Sequence, residues 1–215
     1  MCCGHSVNWP FRNRSKLINI RKISVRALVL AVLPAIAALA SAEPAKLQLC
    51  AACHGQDGSG AGFPHVPIIA GTPAAHLEEA LYAYQDGARL CTADPAMCQI
   101  AATLSEADVL ELAEHFGAMR RVSAGEELDA TLAQTGARIH EKHCGQCHVM
   151  PDDEDVEYAL GIPLHGQRSA YLKAALDAYL NGDRETLVPA MAAKLALLDA
   201  NDIEALVNYY ASYQP

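Results

Sequence analysis

Eight cysteines stand out in a chain of 215 residues, and four of them fall in two matching settings, Cys50-Ala-Ala-Cys53-His54 and Cys144-Gly-Gln-Cys147-His148. Each is a C-x-x-C-H, the pattern that attaches a c-type haem. Two thiols add across the vinyl groups of a porphyrin, and the next imidazole is delivered to the iron as its proximal ligand. A C-x-x-C alone also suits a redox dithiol or half of a zinc site. One zinc would need pairs 94 residues apart to meet, and would leave both histidines without a task. A thioredoxin-type dithiol needs a βαβ context, and the strand signals for it are missing. Two covalently bound haem c groups on Cys50, Cys53, Cys144 and Cys147 are therefore expected.

The same 94-residue shift that superposes the pentapeptides places Pro95-Ala96-Met97 on Pro189-Ala190-Met191, so that 43 residues separate His from Met in both halves. A thioether is a soft ligand that suits haem iron opposite an imidazole. Of the other methionines, Met1 is the initiator, Met119 has no counterpart, and Met150 lies too close to His148 to reach the opposite haem face. Methionine usually fills cores, but a matched pair after matched prolines points to ligation. The axial pairs expected are His54 with Met97 and His148 with Met191. Six other histidines, His65, His76, His115, His140, His143 and His165, have no partner at the shift and read as surface or half-buried residues.

The elements that must position these groups are helices. Val109, Leu112, Ala113 and Phe116 follow the i, i+3, i+4, i+7 spacing of one helical face, and Ile203, Leu206, Val207 and Tyr210 repeat it. Both runs open on a capping signal, Ser105 to Asp108 and Asp199 to Asp202. At a shift of 95, Leu77, Leu81, Tyr84, Gly87 and Arg89 align with Leu172, Leu176, Tyr179, Gly182 and Arg184, a second helix ending at a glycine. Short helices fit around 46–53 and 131–147, carrying the attachment cysteines at their ends. No alternating run of β-branched residues competes. The fold expected is all-α, with tandem domains at 43–125 and 126–215, each with a small core that a haem would enlarge.

Residues 1–42 read as an export signal. Six basic residues from Arg12 to Arg26 precede an apolar run from Ala27 to Leu39, then Ala40-Ser41-Ala42 as a cleavage site. That run is too short for a spanning helix. The destination is an oxidising space outside the cytoplasm. All 25 acidic residues follow residue 42, against ten Lys and Arg, so the mature chain is more acidic than the overall −9. Such a balance excludes nucleic-acid binding, which needs a basic face, and disfavours attachment to anionic lipid. Cys91 and Cys98 flank Met97 and belong to no haem motif. They read as a disulfide bracing that loop.

These residues resemble the dihaem class I cytochromes c, in particular cytochrome c4. The resemblance lies in Cys50-Ala-Ala-Cys-His-Gly55 with Asp57-Gly58, in Pro67-Ile-Ile-Ala-Gly71, in Gly161-Ile-Pro-Leu-His-Gly-Gln167 with Tyr171-Leu172, and in the Pro-x-Met segments. It covers essentially all of the mature chain. It implies periplasmic electron transfer, His/Met ligation in both domains, and haems facing each other across a pseudo-twofold interface. It also implies that Pro67 and Pro163 lie in the loops offering a backbone carbonyl to the proximal histidines. The stretch Thr135–His148 is similar to the haem subunit of flavocytochrome c sulfide dehydrogenases, which would make the chain a permanent partner of a flavoprotein. A third reading, similar to dihaem thiosulfate dehydrogenases, has Cys91 or Cys98 as an axial thiolate and would make the chain an enzyme. The partners implied are redox proteins: a dehydrogenase, a flavoprotein or a terminal oxidase. The first domain has Gly71-Thr72 where cytochrome c4 has Gly-Gln. The one-sided cysteine pair and the acidic run Asp152–Asp155 lead us to expect haems of different potential. That run reads either as a solvated loop or as a steering patch for a basic partner.

Overall fold

In a computed structural model, residues 44–60, 62–92 and 94–214 are described. Residues 1–42, which read as an export signal with its cleavage site, lie outside the described residues. Residues 43–215 pack as one unit.

The chain runs through α1 (Leu47–His54), α2 (Ala74–Gln85), α3 (Ala96–Ala101), α4 (Glu106–Gly117), α5 (Ala130–His143), α6 (Ser169–Asn181), α7 (Pro189–Leu195) and α8 (Ala200–Ala211), with a 3₁₀ turn at Val156–Tyr158. Helices α1 to α4 and α5 to α8 are two passes through one plan. Both long C-terminal helices carry complete capping boxes. Ser105 accepts from the Asp108 N–H while Asp108 accepts from the Ser105 N–H, and Asp199 and Asp202 do the same for α8. The glycines after α2 and α6 adopt positive φ, 78° at Gly87 and 80° at Gly182, as a helix stop followed by a reversal requires.

Each pass has its own core. Leu47, Leu104, Val109, Leu112 and Phe116 form the first, with Leu77, Leu81 and Met119 packed against it. Leu172, Ile203, Leu206, Val207, Tyr210 and Ala211 form the second, with Ile139, Leu164 and Leu176 at its margin. These are the faces that the periodicity selects. In the second core α5 crosses α8 at Gly136, where any side chain would run into the Ala205 carbonyl oxygen.

The passes differ at the attachment sites. The first pentapeptide is inside α1, whereas α5 ends at His143, one residue before Cys144. The N–H groups of Cys144 and Gly145 both donate to the His140 carbonyl at 2.8 Å, which closes the helix before the cysteines instead of at them.

The halves meet through backbone and side chains alike. Among the described residues the extended pairing is a single antiparallel bridge, Arg89 with Arg184, the two residues that the 95-residue shift makes equivalent. It is flanked by Leu90 N–H to the Asp183 carbonyl at 2.7 Å and Glu185 N–H to the Ala88 carbonyl at 2.8 Å.

Candidate haem-binding sites

His54 is buried at the C-terminal end of α1, and its Nδ1 lies 3.0 Å from the Pro67 carbonyl oxygen. His148 repeats the arrangement on the Ile162 carbonyl at 2.9 Å. A carbonyl only accepts, so Nδ1 carries the proton in each ring and Nε2 presents a lone pair, the tautomer that a metal-ligating imidazole needs. Burial holds both imidazoles toward the neutral form, opposed by the bond to the carbonyl. Gly161 packs on the His148 ring so closely that a Cβ there would stand 2.5 Å from Nδ1.

Both anchors lie in the loops that Pro67 and Pro163 mark, but in the second loop the carbonyl is that of Ile162 and not of the proline. His54 reaches 13 residues along the chain and His148 reaches 14. One residue is therefore inserted between His148 and its anchor, which makes Ile162 the counterpart of Pro67. The Pro163 carbonyl instead accepts from Arg121 at 3.1 Å.

Cys50, Cys53, Cys144 and Cys147 are half-buried free thiols. Burial pushes the thiols of Cys50 and Cys144 up, the opposite of an activated redox dithiol. Cys50 packs against the first core, and Tyr210 of the second core lies near the Cys144 thiol. Met97 and Met191 occupy the opening turns of α3 and α7 and are half-buried. A cleft of about 520 Å³ runs along α7, lined by Tyr179, Gly182, Arg184, Thr186, Ala192 and Leu195.

Cys91 and Cys98 are joined as a disulfide around Met97. Neither sulfur is therefore free to act as an axial thiolate, which removes the structural basis for that enzyme reading. Asp152–Asp155 is exposed.

Between the halves, the Arg89 guanidinium stacks over Tyr84 at 4.5 Å and donates to the Tyr171 hydroxyl at 3.0 Å, while Arg184 stacks over Tyr179 at 4.5 Å. Among the described residues neither arginine meets a carboxylate; the ion pairs there are His76–Glu79 and Lys173–Asp177. Burial raises the Tyr171 phenol, but the two guanidiniums outweigh it and bring the group down to about 8.

The histidine expectation needs correction at two positions. His140 and His165 are buried, at 8 % and 0 % exposure, in a cluster with Tyr209 and Tyr210. His140 Nδ1 is hydrogen-bonded to the Tyr210 hydroxyl at 3.0 Å, whereas neither ring nitrogen of His165 has a partner. Edge-to-face aromatic packing makes these sites habitable for an imidazole, and a lone histidine without a repeat partner carries no such signal in sequence.

Comparison with known proteins bears on the same residues. A family profile described as cytochrome c oxidase, cbb3-type, subunit III matches residues 131–209. The chain is 33 % identical, over 96 % of its length and 95 % of the relative's, to a thiosulfate dehydrogenase electron acceptor of Stutzerimonas stutzeri. It is 30 % identical to a cytochrome c4 of Pseudomonas aeruginosa, over 79 % of this chain and 86 % of the relative. The chain belongs to the cytochrome c4 family of dihaem cytochromes c. In structure it is similar to the reduced cytochrome c4 of Pseudomonas stutzeri, with a TM-score of 0.65 at 25 % identity, over 80 % of this chain and 97 % of the other. As in other cytochromes c4, two class I cytochrome domains stand in tandem, two haem c groups are bound covalently, and the chain transfers electrons instead of catalysing a substrate reaction. Among the described residues no helix is long and apolar enough to cross a membrane.

Proposed function

We propose that this cytochrome works in the periplasm, after removal of residues 1–42, as the electron acceptor of a thiosulfate-oxidising dehydrogenase. Its first iron is held by His54 and Met97 and its second by His148 and Met191. Thioether bonds run to Cys50 and Cys53 in the domain 43–125, and to Cys144 and Cys147 in the domain 126–215. The observation that carries the ligand set is the paired anchoring of His54 on Pro67 and His148 on Ile162, each directly after a C-x-x-C. Met97 and Met191 support it by starting equivalent helices. The partner rests on the relative that matches nearly the whole chain, whose name makes it the acceptor of such an enzyme.

The residues present fit the group. Gly161 leaves the His148 ring a face that any side chain would crowd. Arg89 and Arg184, donors without an acid among the described residues, are what the haem carboxylates require. A bound haem supplies one-electron chemistry, and a thioether opposite imidazole raises its potential relative to two nitrogen ligands. The protein's own part is to keep Nε2 deprotonated, hold the ring orientation and limit water.

The test has two readouts. The ferric protein should show the weak long-wavelength band of Met–Fe(III), and Met97→His and Met191→His should each remove part of it and lower one of two midpoint potentials. Thiosulfate together with its dehydrogenase should reduce the wild-type protein. A full band in both variants would overturn the ligand set, and no reduction would overturn the partner.

A further inference from the structure

Each proximal histidine is anchored on a loop that the opposite half of the molecule holds. In the first half, the Pro67 carbonyl that anchors His54 is followed by Ile68, which is 4 % exposed. Gln167, from the second half, grips Ile68 at both polar atoms: Oε1 accepts from the N–H at 2.8 Å and Nε2 donates to the carbonyl at 2.9 Å. Its neighbour Arg168 donates to the Ser59 carbonyl at 2.8 Å. In the opposite direction, Arg121 of the first half donates through one nitrogen to the carbonyls of Pro163 at 3.1 Å and His165 at 2.9 Å. Pro163 directly follows Ile162, the anchor of His148.

The two grips do the same task with different chemistry, and the sequence explains why. At the 95-residue shift Gln167 corresponds to Thr72 and Ile68 to Pro163. Proline has no N–H, so an amide at position 72 would find only half of its partners across the interface. The position holds the shorter Thr72, buried at 2 % exposure. What remains on that side is a pair of carbonyls, and a guanidinium, which only donates, is the group that fits them.

We propose that Gln167 and Arg121 are crossed positioning residues: each sets, through the loop it grips, the hydrogen bond on the proximal histidine of the other half, and with it that haem's potential. The inference rests on His54 and His148 being the iron ligands. A bond from Nδ1–H to a carbonyl makes the imidazole a more basic ligand, which favours ferric iron. A loop released from its grip weakens the bond, and the midpoint potential rises. The domain interface thus tunes both haems and does more than hold the domains together.

Spectroelectrochemical titration of the holoprotein tests this, with Met97→His and Met191→His used to assign each potential to its domain. Gln167→Met, neutral and of similar length, should raise only the first-domain potential, shifting its reduced-to-oxidised ratio about threefold, or about 28 mV for one electron at 59 mV per decade. Arg121→Lys, which keeps the charge but is one bond too short to bring its nitrogen to both carbonyls, should raise only the second-domain potential. Should Gln167→Met fail to retain both haems, Gln167→Asn, shorter by one methylene, replaces it. Unchanged potentials in folded dihaem variants would overturn the proposal, as would a shift confined to the variant's own domain. If the two methionine variants assign no potential, it is the ligand reading that fails instead.

Discussion

Gly136 of α5 lies against the carbonyl of Ala205 in α8, with no room between them for a methyl group. The contact lets the two helices cross at backbone distance, and the Tyr209 side chain packs over the same glycine. Gly136→Ala should therefore push the helices apart although alanine is the better helix former. We expect a loss of about 1–3 kcal/mol, as for other overpacked cores, confined to the second domain. Thermal unfolding followed in the haem band and by circular dichroism checks this; an unchanged or raised midpoint would show that the crossing is not tight.

The Cys91–Cys98 bridge closes a short loop around Met97. Replacing both cysteines with serine should cost about 2–3 kcal/mol, from the greater entropy of the open chain. The Met–Fe(III) band should lose intensity in the first domain while the second keeps its own. Chemical denaturation and the visible spectrum of the double variant read the two effects separately, and a band of full intensity would mean that Met97 is held without the bridge.

Burial without a hydrogen-bond partner, with His140, Arg121 and His148 nearby, lowers the His165 imidazole to about 3 from its ordinary 6.5. The unfolded chain takes up a proton near pH 6.5, and the folded protein does so only near pH 3. Above pH 6.5 this group has no effect on stability. As pH falls through the window, stability drops by about 1.4 kcal/mol per unit. His165→Phe should remove that slope. Urea midpoints at pH 7.5 and pH 4.5 should differ less in the variant than in the wild type; equal differences would mean that His165 is solvated in the native state.

Arg89 and Arg184 put two positive charges between the domains without a neighbouring carboxylate among the described residues. Arg89→Met should stabilise the ferric state by on the order of 1 kcal/mol and lower the midpoint potentials. A redox titration at low and high salt distinguishes this from a packing defect, since a buried charge is poorly screened.

Much of this protein is legible along the chain because the haem motif and the helix are local. A C-x-x-C-H needs only five consecutive residues, a capping box only four, and a helical face follows from the spacing of Val109, Leu112, Ala113 and Phe116. The repeat added the expectation that each histidine pairs with a methionine, since two copies of one domain keep the same interval. The shift of 95 that aligns Leu77 with Leu172 also aligns Pro67 with Ile162, so the anchor of His148 within its loop was present in the register.

By itself, then, the sequence determined the haem attachment sites, the all-α class, the duplication and the capped helices, each of which depends on neighbours within a turn or on a repeated interval. Only the tertiary structure decided which groups meet between the copies: Gln167 on Ile68, Arg121 on Pro163 and His165, Arg89 beside Arg184, and two histidines in an aromatic interior. Those contacts join residues that have no fixed spacing and whose roles differ between the copies. An interface with pseudo-twofold symmetry brings equivalent positions together, and a single proline at position 163 is enough to make the two sides use different chemistry.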